Sequence, residues 1–297
     1  MENMQKYSKP ALTINEQIAL LKNRGLIVNN EEELSYYLKN INYYHLTIYF
    51  KHYQRDDNFR EGVSFDDVLK IYKFDNKLRF LLLELLERIE KSFKCRMVYE
   101  LAIEQKDPHW YLNKEFFVDN EGYLEILRLL QDEVEKSKEI SINHYKNKYN
   151  DPILPPIWAV VEILSFGQCV RICKYLKREY KNKISRSFGE DEMFLMSWMH
   201  SLSVLRNICA HYSCLWNRNL VFTPKNEHHV YGKFFRSKDR RLYNHIVVLQ
   251  ILLSKMNPTA SWLDKFKELV AEFEIDVTCI GFPDDWESRL NKIMLIK

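Results

Sequence analysis

The chain has 297 residues, 46% of them hydrophobic, with only 7 Gly and 8 Pro. That is enough apolar side chain to fill a core and too few breakers to separate many short strands, so a disordered chain is excluded and a mostly helical protein is predicted. The 44 Lys and Arg against 41 Asp and Glu leave a formal net charge of +3, too mild to mark a nucleic-acid binder on charge alone.

The opening stretch MENMQKYSKP lacks the apolar centre of an export signal, and no apolar run, IVVLQILL at residues 246–253 included, is long enough to span a bilayer. A soluble, cytoplasmic protein without membrane association is expected. Six cysteines, Cys95, Cys169, Cys173, Cys209, Cys214 and Cys279, are scattered without framework spacing, which fits reduced thiols.

Helix starts are legible in two places. TINE at residues 13–16 and SFDD at 64–67 have the form of capping boxes, in which a hydroxyl and an acid satisfy the orphan amides of a first turn. The Tyr-rich NYYHLTIYFKHY at 42–53 suits either core packing on an amphipathic helix or stacking on unpaired bases. QRDDNFREG at 54–62 reads as a linker dividing a small helical N-terminal unit, residues 1–60, from a larger helical domain, residues 61–297.

Beyond it, Phe74, Leu78, Leu81, Leu85, Ile89, Phe93 and Met97 recur at near-helical spacing, predicting one long helix, kinked or split, from 65 to about 104. Further helices are predicted near 121–140, 156–178, 191–213, 239–256 and 261–273. Residues 219–235 read as a loop or a minor β-hairpin. Inside the apolar run WAVVEILSF, an ionised Glu162 should seek a cation or several donors, with Arg206 or His211 on a neighbouring helix as the candidate partner, unless it reaches solvent at a helix edge.

Two stretches concentrate positive charge. Arg171, Lys174, Lys177, Arg178, Lys181, Lys183 and Arg186 face only Glu179, and Lys233, Arg236, Lys238, Arg240 and Arg241 face only Asp239. Each suits a phosphate backbone or a solvated helix face. Cys169 and Cys173 lie one helical turn apart and His228 and His229 are adjacent, but the CxxC and HxxxH spacings of common zinc modules are absent. No metal and no other cofactor is expected.

The stretch with most chemistry is LRNICAHYSCLWNR, residues 205–218. Leu195, Trp198, Met199, Leu202, Leu205, Cys209 and Tyr212 form one apolar stripe of a helix. At about 100° per residue, His211 lies nearly opposite that stripe with Asn207 about 40° away and His200 nearby, while Arg206 stands roughly 140° from the histidine. Arg206 and His211 therefore converge only if the arginine reaches round, the helix ends or distorts there, or a second copy supplies the partner. The alternative is that Arg206 and Asn207 brace helices and His211 is an ordinary surface residue.

RNICAH is an R-x4-H motif of the kind found in the HEPN superfamily, and the chain resembles the Abi_2 (AbiD/AbiF-like) abortive-infection proteins of bacteria. The resemblance is carried by KPALTINEQIALLKNRGLIV, YYLKNINYYHL, YKFDNKLRFLLLELLERIEKSF, PPIWAVVEILSFGQ and LRNICAHYSCLWNR, and so extends over most of the chain. It implies an all-α, HEPN-like helical bundle that forms a homodimer and cleaves RNA without metal as an abortive-infection toxin in phage defence. Arg206, Asn207 and His211 would be catalytic, Glu162 and His200 supporting, and Arg171, Lys174, Lys177, Arg178 and Arg218 would bind RNA. An RNA or protein antitoxin is a further partner to seek. The competing readings are a non-catalytic HEPN-like RNA-binding or scaffolding protein and a metal hydrolase.

Overall fold

In the computed structural model the described residues are 10–103, 105–256 and 262–296. The stretch 1–9, Glu104 at the end of the expected long helix, and Ser261 at the start of the last expected one lie outside them. The described residues contain thirteen α-helices and one two-stranded hairpin, so the fold is all-α. Among them no helix is long and apolar enough to cross a membrane. The chain divides into two compact units, residues 1–78 with 267–276 and residues 79–266 with 277–297.

In the first unit, α1 (Ile14–Asn23), α2 (Glu31–Asn40) and α3 (Tyr43–Tyr53) precede a tight hairpin, β1 (Gln54–Arg55) and β2 (Asn58–Phe59). The capping box of α1 is formed: the Glu16 amide donates to Thr13 Oγ1 at 3.3 Å and Thr13 N–H donates to the Glu16 carboxylate at 2.7 Å. The stretch expected to be a linker is the hairpin instead, and the loop 219–235 holds no strand. Asp56 and Asp57 take φ of 49° and 65°, the twist a two-residue hairpin turn requires, with aspartate filling positions usually given to Asn-Gly. Tyr49 and Phe50 are fully buried, and the Tyr49 hydroxyl donates to buried Asp75 at 2.8 Å, so this part of the Tyr-rich stretch is core.

The second capping box, between Ser64 and Asp67, opens α4 (Phe65–Val98), whose 34 residues cross the boundary between the units. A π-helical turn, Tyr99–Ile103, follows directly. In the second unit come α5 (Asn120–Lys136), α6 (Ile140–Lys148), α7 (Ile157–Ile163), α8 (Phe166–Tyr175), α9 (Arg178–Ser187) and α10 (Glu192–Ala210). They are followed by α11 (Tyr243–Met256), α12 (Trp262–Glu272), whose last residues belong to the first unit, and α13 (Trp286–Met294).

The single helix expected over 156–178 is two. Ser165 caps α8 in a box with Gln168, and its extended backbone breaks the run after α7. α11 is buried on every side from Tyr243 to Leu253, as a helix at the centre of a unit must be. α10 packs on α8, α9 and α11 through Leu195, Trp198, Met199, Leu202, Leu205 and Cys209, all buried. Each such large side chain stabilises the fold by roughly 1.5–3 kcal/mol.

Candidate functional site

The end of α10 is where the motif sits, and the helix stops one residue before its histidine. Ala210 is its last residue and His211 its C-cap. The chain closes on the helix with two reversed hydrogen bonds, Tyr212 N–H to the Cys209 carbonyl at 3.2 Å and Ser213 N–H to the Ile208 carbonyl at 3.0 Å. That closure needs a left-handed residue, usually glycine, after the cap. Tyr212 supplies it at φ 56° although exposed. Cys214, Leu215 and Trp216 then turn back into the core, leaving His211 and Tyr212 outside.

Arg206 has different surroundings. Its Nε lies 3.2 Å from Oε2 of Glu90 on α4, and the other oxygen of that carboxylate is 3.2 Å from Lys94 Nζ. Glu90 is buried, and Lys94 also donates to the Leu164 carbonyl at 2.6 Å, so the carboxylate joins α4 to α10 with the end of α7 alongside. The Arg206 side chain is one-third exposed and still faces solvent at the wall of a cleft of about 540 Å³. A 3.5 Å contact runs from its Nη1 to Oδ1 of Asn207.

Asn207, His211 and His200 all lie on the solvent face of α10. The His200 ring meets Phe222 edge-on at 4.5 Å; partial burial, and then the nearby Lys174 charge, lower its pKa from the ordinary imidazole value.

Glu162 is not sunk in apolar surroundings as its neighbours in sequence suggest. Ile157, Val160 and Val161 take the buried face of α7, and Glu162 is exposed. It lines the same cleft as Arg206, but the carboxylate on that guanidinium is that of Glu90. In the sequence, Glu90 was one acid among several on the polar positions of α4; only its burial singles it out.

Of the five cations expected to bind RNA, Arg171 is tied to Glu125 at 2.7 Å, in a cleft also lined by Glu121, Asp132 and Glu133. Lys177 meets Glu115 at 3.5 Å and Arg178 meets Glu192 at 3.7 Å. Arg218 is exposed, with Nη1 donating to the Cys214 carbonyl at 3.2 Å, while Lys174 lies on the His200 side of the unit. The second basic stretch mostly binds backbone: Arg236 donates to the Gly281 carbonyl at 2.9 Å, Arg241 to Thr278 at 2.7 Å and Arg240 to Val221 at 3.1 Å.

Of the residues weighed for zinc, the two thiols and His228 are buried and His229 is exposed. Cys169 and Cys173 are buried, burial raising both thiol pKa values, Cys169 to about 12. His228 accepts the Val230 and Tyr231 amides on Nδ1 at 3.1 and 3.2 Å, so its Nε2–H donates to Glu190 at 2.9 Å.

Fold and site together define an all-α protein in which a late helix ends on an exposed histidine, five residues after an arginine anchored to a buried carboxylate. A family model for Abi-like proteins, Abi_2, matches residues 36–217, more than half of the chain and the whole of α10, and the chain belongs to that family. No curated protein and no solved structure matches it. Membership of the Abi-like family points to abortive infection.

Proposed function

We propose that this protein is a metal-independent endoribonuclease of the HEPN type, acting as an abortive-infection effector, and that its site is completed when two copies pair across the solvent face of α10. The observation that carries the reading is the division of labour at the end of α10: Arg206 is paired with Glu90 at 3.2 Å yet faces solvent, and His211 is exposed at a hydrogen-bonded helix end.

The chemistry needs two proton transfers and one stable cation. The ribose 2′-oxygen attacks the adjoining phosphorus as its proton passes to one imidazole; the bond from phosphorus to the 5′-oxygen breaks, and that oxygen takes a proton from a second imidazole. The products are a 2′,3′-cyclic phosphate and a 5′-hydroxyl. One chain offers one such histidine, so His211 would act as base in one copy and as acid in the other. The guanidinium of Arg206 is permanently charged and forked, suited to the charge that grows on the phosphoryl oxygens. Asn207, on the same face as His211, would orient the imidazole or a phosphate oxygen. DNA lacks the attacking hydroxyl and would not be cut.

A second reading has its own observation: the ion pair of Arg206 with Glu90 braces α4 against α10 whether or not RNA is cut. On that reading the protein binds RNA or a partner without cleaving. Incubation of purified protein with end-labelled RNA in excess chelator separates the two. Cleavage leaving cyclic phosphate ends, reduced by about 10²- to 10⁴-fold in His211→Ala and in Arg206→Ala, is the expected result. Unchanged cleavage in both variants would falsify the catalytic reading.

A further inference from the structure

The cleft beside Arg206 carries chemistry that phosphate binding leaves unused. Its lining includes residues of the π-helical turn that follows α4 and of α7. Tyr99 is 61% exposed, Ile103 58% and Trp158 52%, so three large apolar side chains stand open around one hollow of about 540 Å³. Such turns are rare and recur at functional sites; this one carries two of the three exposed side chains. An exposed group of this kind calls for an occupant.

The charges lining the hollow say which one. Lys91, Lys94 and Arg206 are matched by Glu87, Glu90 and Glu162, so the hollow carries no net formal charge. Glu87 is spent on Lys91 at 2.6 Å, and Glu90 on Arg206 and Lys94. The exposed carboxylate of Glu162 also lines the hollow and can serve as an acceptor. The aromatic faces of Tyr99 and Trp158, together with the exposed Glu162 carboxylate, fit a flat ring with N–H donors on its rim. An acyl chain would leave the carboxylate unused.

We propose that this cleft seats an unpaired nucleobase of a single RNA strand, stacked on Trp158 and Tyr99 and read at its edge by Glu162. Guanine, whose N1–H and exocyclic amine lie side by side, matches the two carboxylate oxygens best. Uracil, which sets a carbonyl on each side of its one edge N–H, matches worst. The inference rests on the reading above for the identity of the strand as RNA, and it places the phosphodiester next to that base at Arg206.

The test uses full-length protein carrying His211→Ala, so that bound strand stays intact, and short fluorescent oligoribonucleotides titrated by anisotropy. One is all uridine and one carries a single central guanosine. The guanosine strand is expected to bind about 10- to 100-fold more tightly, and Trp158→Ala to abolish that difference while Trp158→Phe keeps most of it. Glu162→Gln should narrow the guanine preference without weakening the uridine strand. Trp158 is half exposed, so an unchanged far-UV spectrum and melting point are expected of its variants and are to be checked. Equal affinity for the two strands, or a well-folded Trp158→Ala that binds as the parent does, overturns the proposal. So does loss of self-association without loss of RNA affinity in Trp158→Ala, which would assign the cleft to a second copy of the chain. Failure of cleavage in the parent, with Trp158-dependent guanine binding retained, would instead remove the nuclease reading and leave the base seat standing.

Discussion

Replacing Glu90 by Gln keeps the side chain's volume and removes the charge that holds Arg206 and Lys94, each at 3.2 Å. Breaking a fully buried ion pair costs about 3–5 kcal/mol, because the partner is left charged and unpaired. Two observations lower the figure here. Arg206 is 33% exposed, so water takes over part of its solvation, and Lys94 keeps the Leu164 carbonyl at 2.6 Å. The expected loss is therefore about 2 kcal/mol, equivalent to a fall in Tm of roughly 4–8 °C for a unit of this size. Thermal melts of Glu90→Gln, Arg206→Gln and the double variant form a cycle whose coupling energy isolates the pair, and about 1–2 kcal/mol is expected. If cleavage is present, Glu90→Gln should slow it by about 10-fold or more, since Arg206 loses the anchor that aims it. A coupling below about 0.5 kcal/mol would refute the reasoning, because it would mean that the two charges do not hold each other in solution.

Two other changes follow from single residues. Tyr212→Gly should raise stability by about 1 kcal/mol, since glycine takes the left-handed backbone without a Cβ clash; a lower Tm in this variant would show that the tyrosine ring contributes more than the strain costs. His245 is buried, with Nε2 donating to the Phe222 carbonyl at 3.0 Å, and burial lowers its pKa from 6.5 to about 4. A histidine kept neutral in the fold favours the unfolded chain wherever only the latter is protonated. Its contribution is therefore complete above pH 6.5 and lost as pH falls toward 4, by roughly 3 kcal/mol at the lower limit. Melting curves between these pH values should slope less steeply for His245→Gln than for the parent, and parallel slopes would exclude His245 as the source.

Features written in adjacent residues were the ones legible in the sequence. Thr13 with Glu16 and Ser64 with Asp67 announce their helices because cap and acceptor lie three positions apart. Ser165 with Gln168 carries the same signal, and it was hidden by apolar residues running across the break on both sides. The hairpin at Asp56 and Asp57 lacks the glycine that usually marks such a turn. The end of α10 is equally unmarked, because Tyr212 stands where glycine is expected.

At the candidate site, Arg206, Asn207 and His211 could be chosen from spacing and residue type. Glu90 could not, since a carboxylate on a helix with many acids becomes distinctive only when α10 covers it. Glu162 shows the converse: apolar neighbours in sequence imply burial, but on a helix they occupy one face and leave the next residue in water.

The stretch between α10 and α11 has almost no regular structure, yet it is fastened along its length. Leu220 N–H donates to the Arg240 carbonyl at 2.8 Å, the Phe222 carbonyl takes His245, the Lys225 carbonyl takes Trp198 Nε1 at 2.8 Å, and His228 is held by Glu190. Such a segment is tied down like a kerb, by hydrogen bonds instead of by regular structure. It gives the His200 face of α10 a fixed border, so a molecule docking there must match a ready-made outline, and inserting even a short peptide tag into this stretch would tear several fastenings at once.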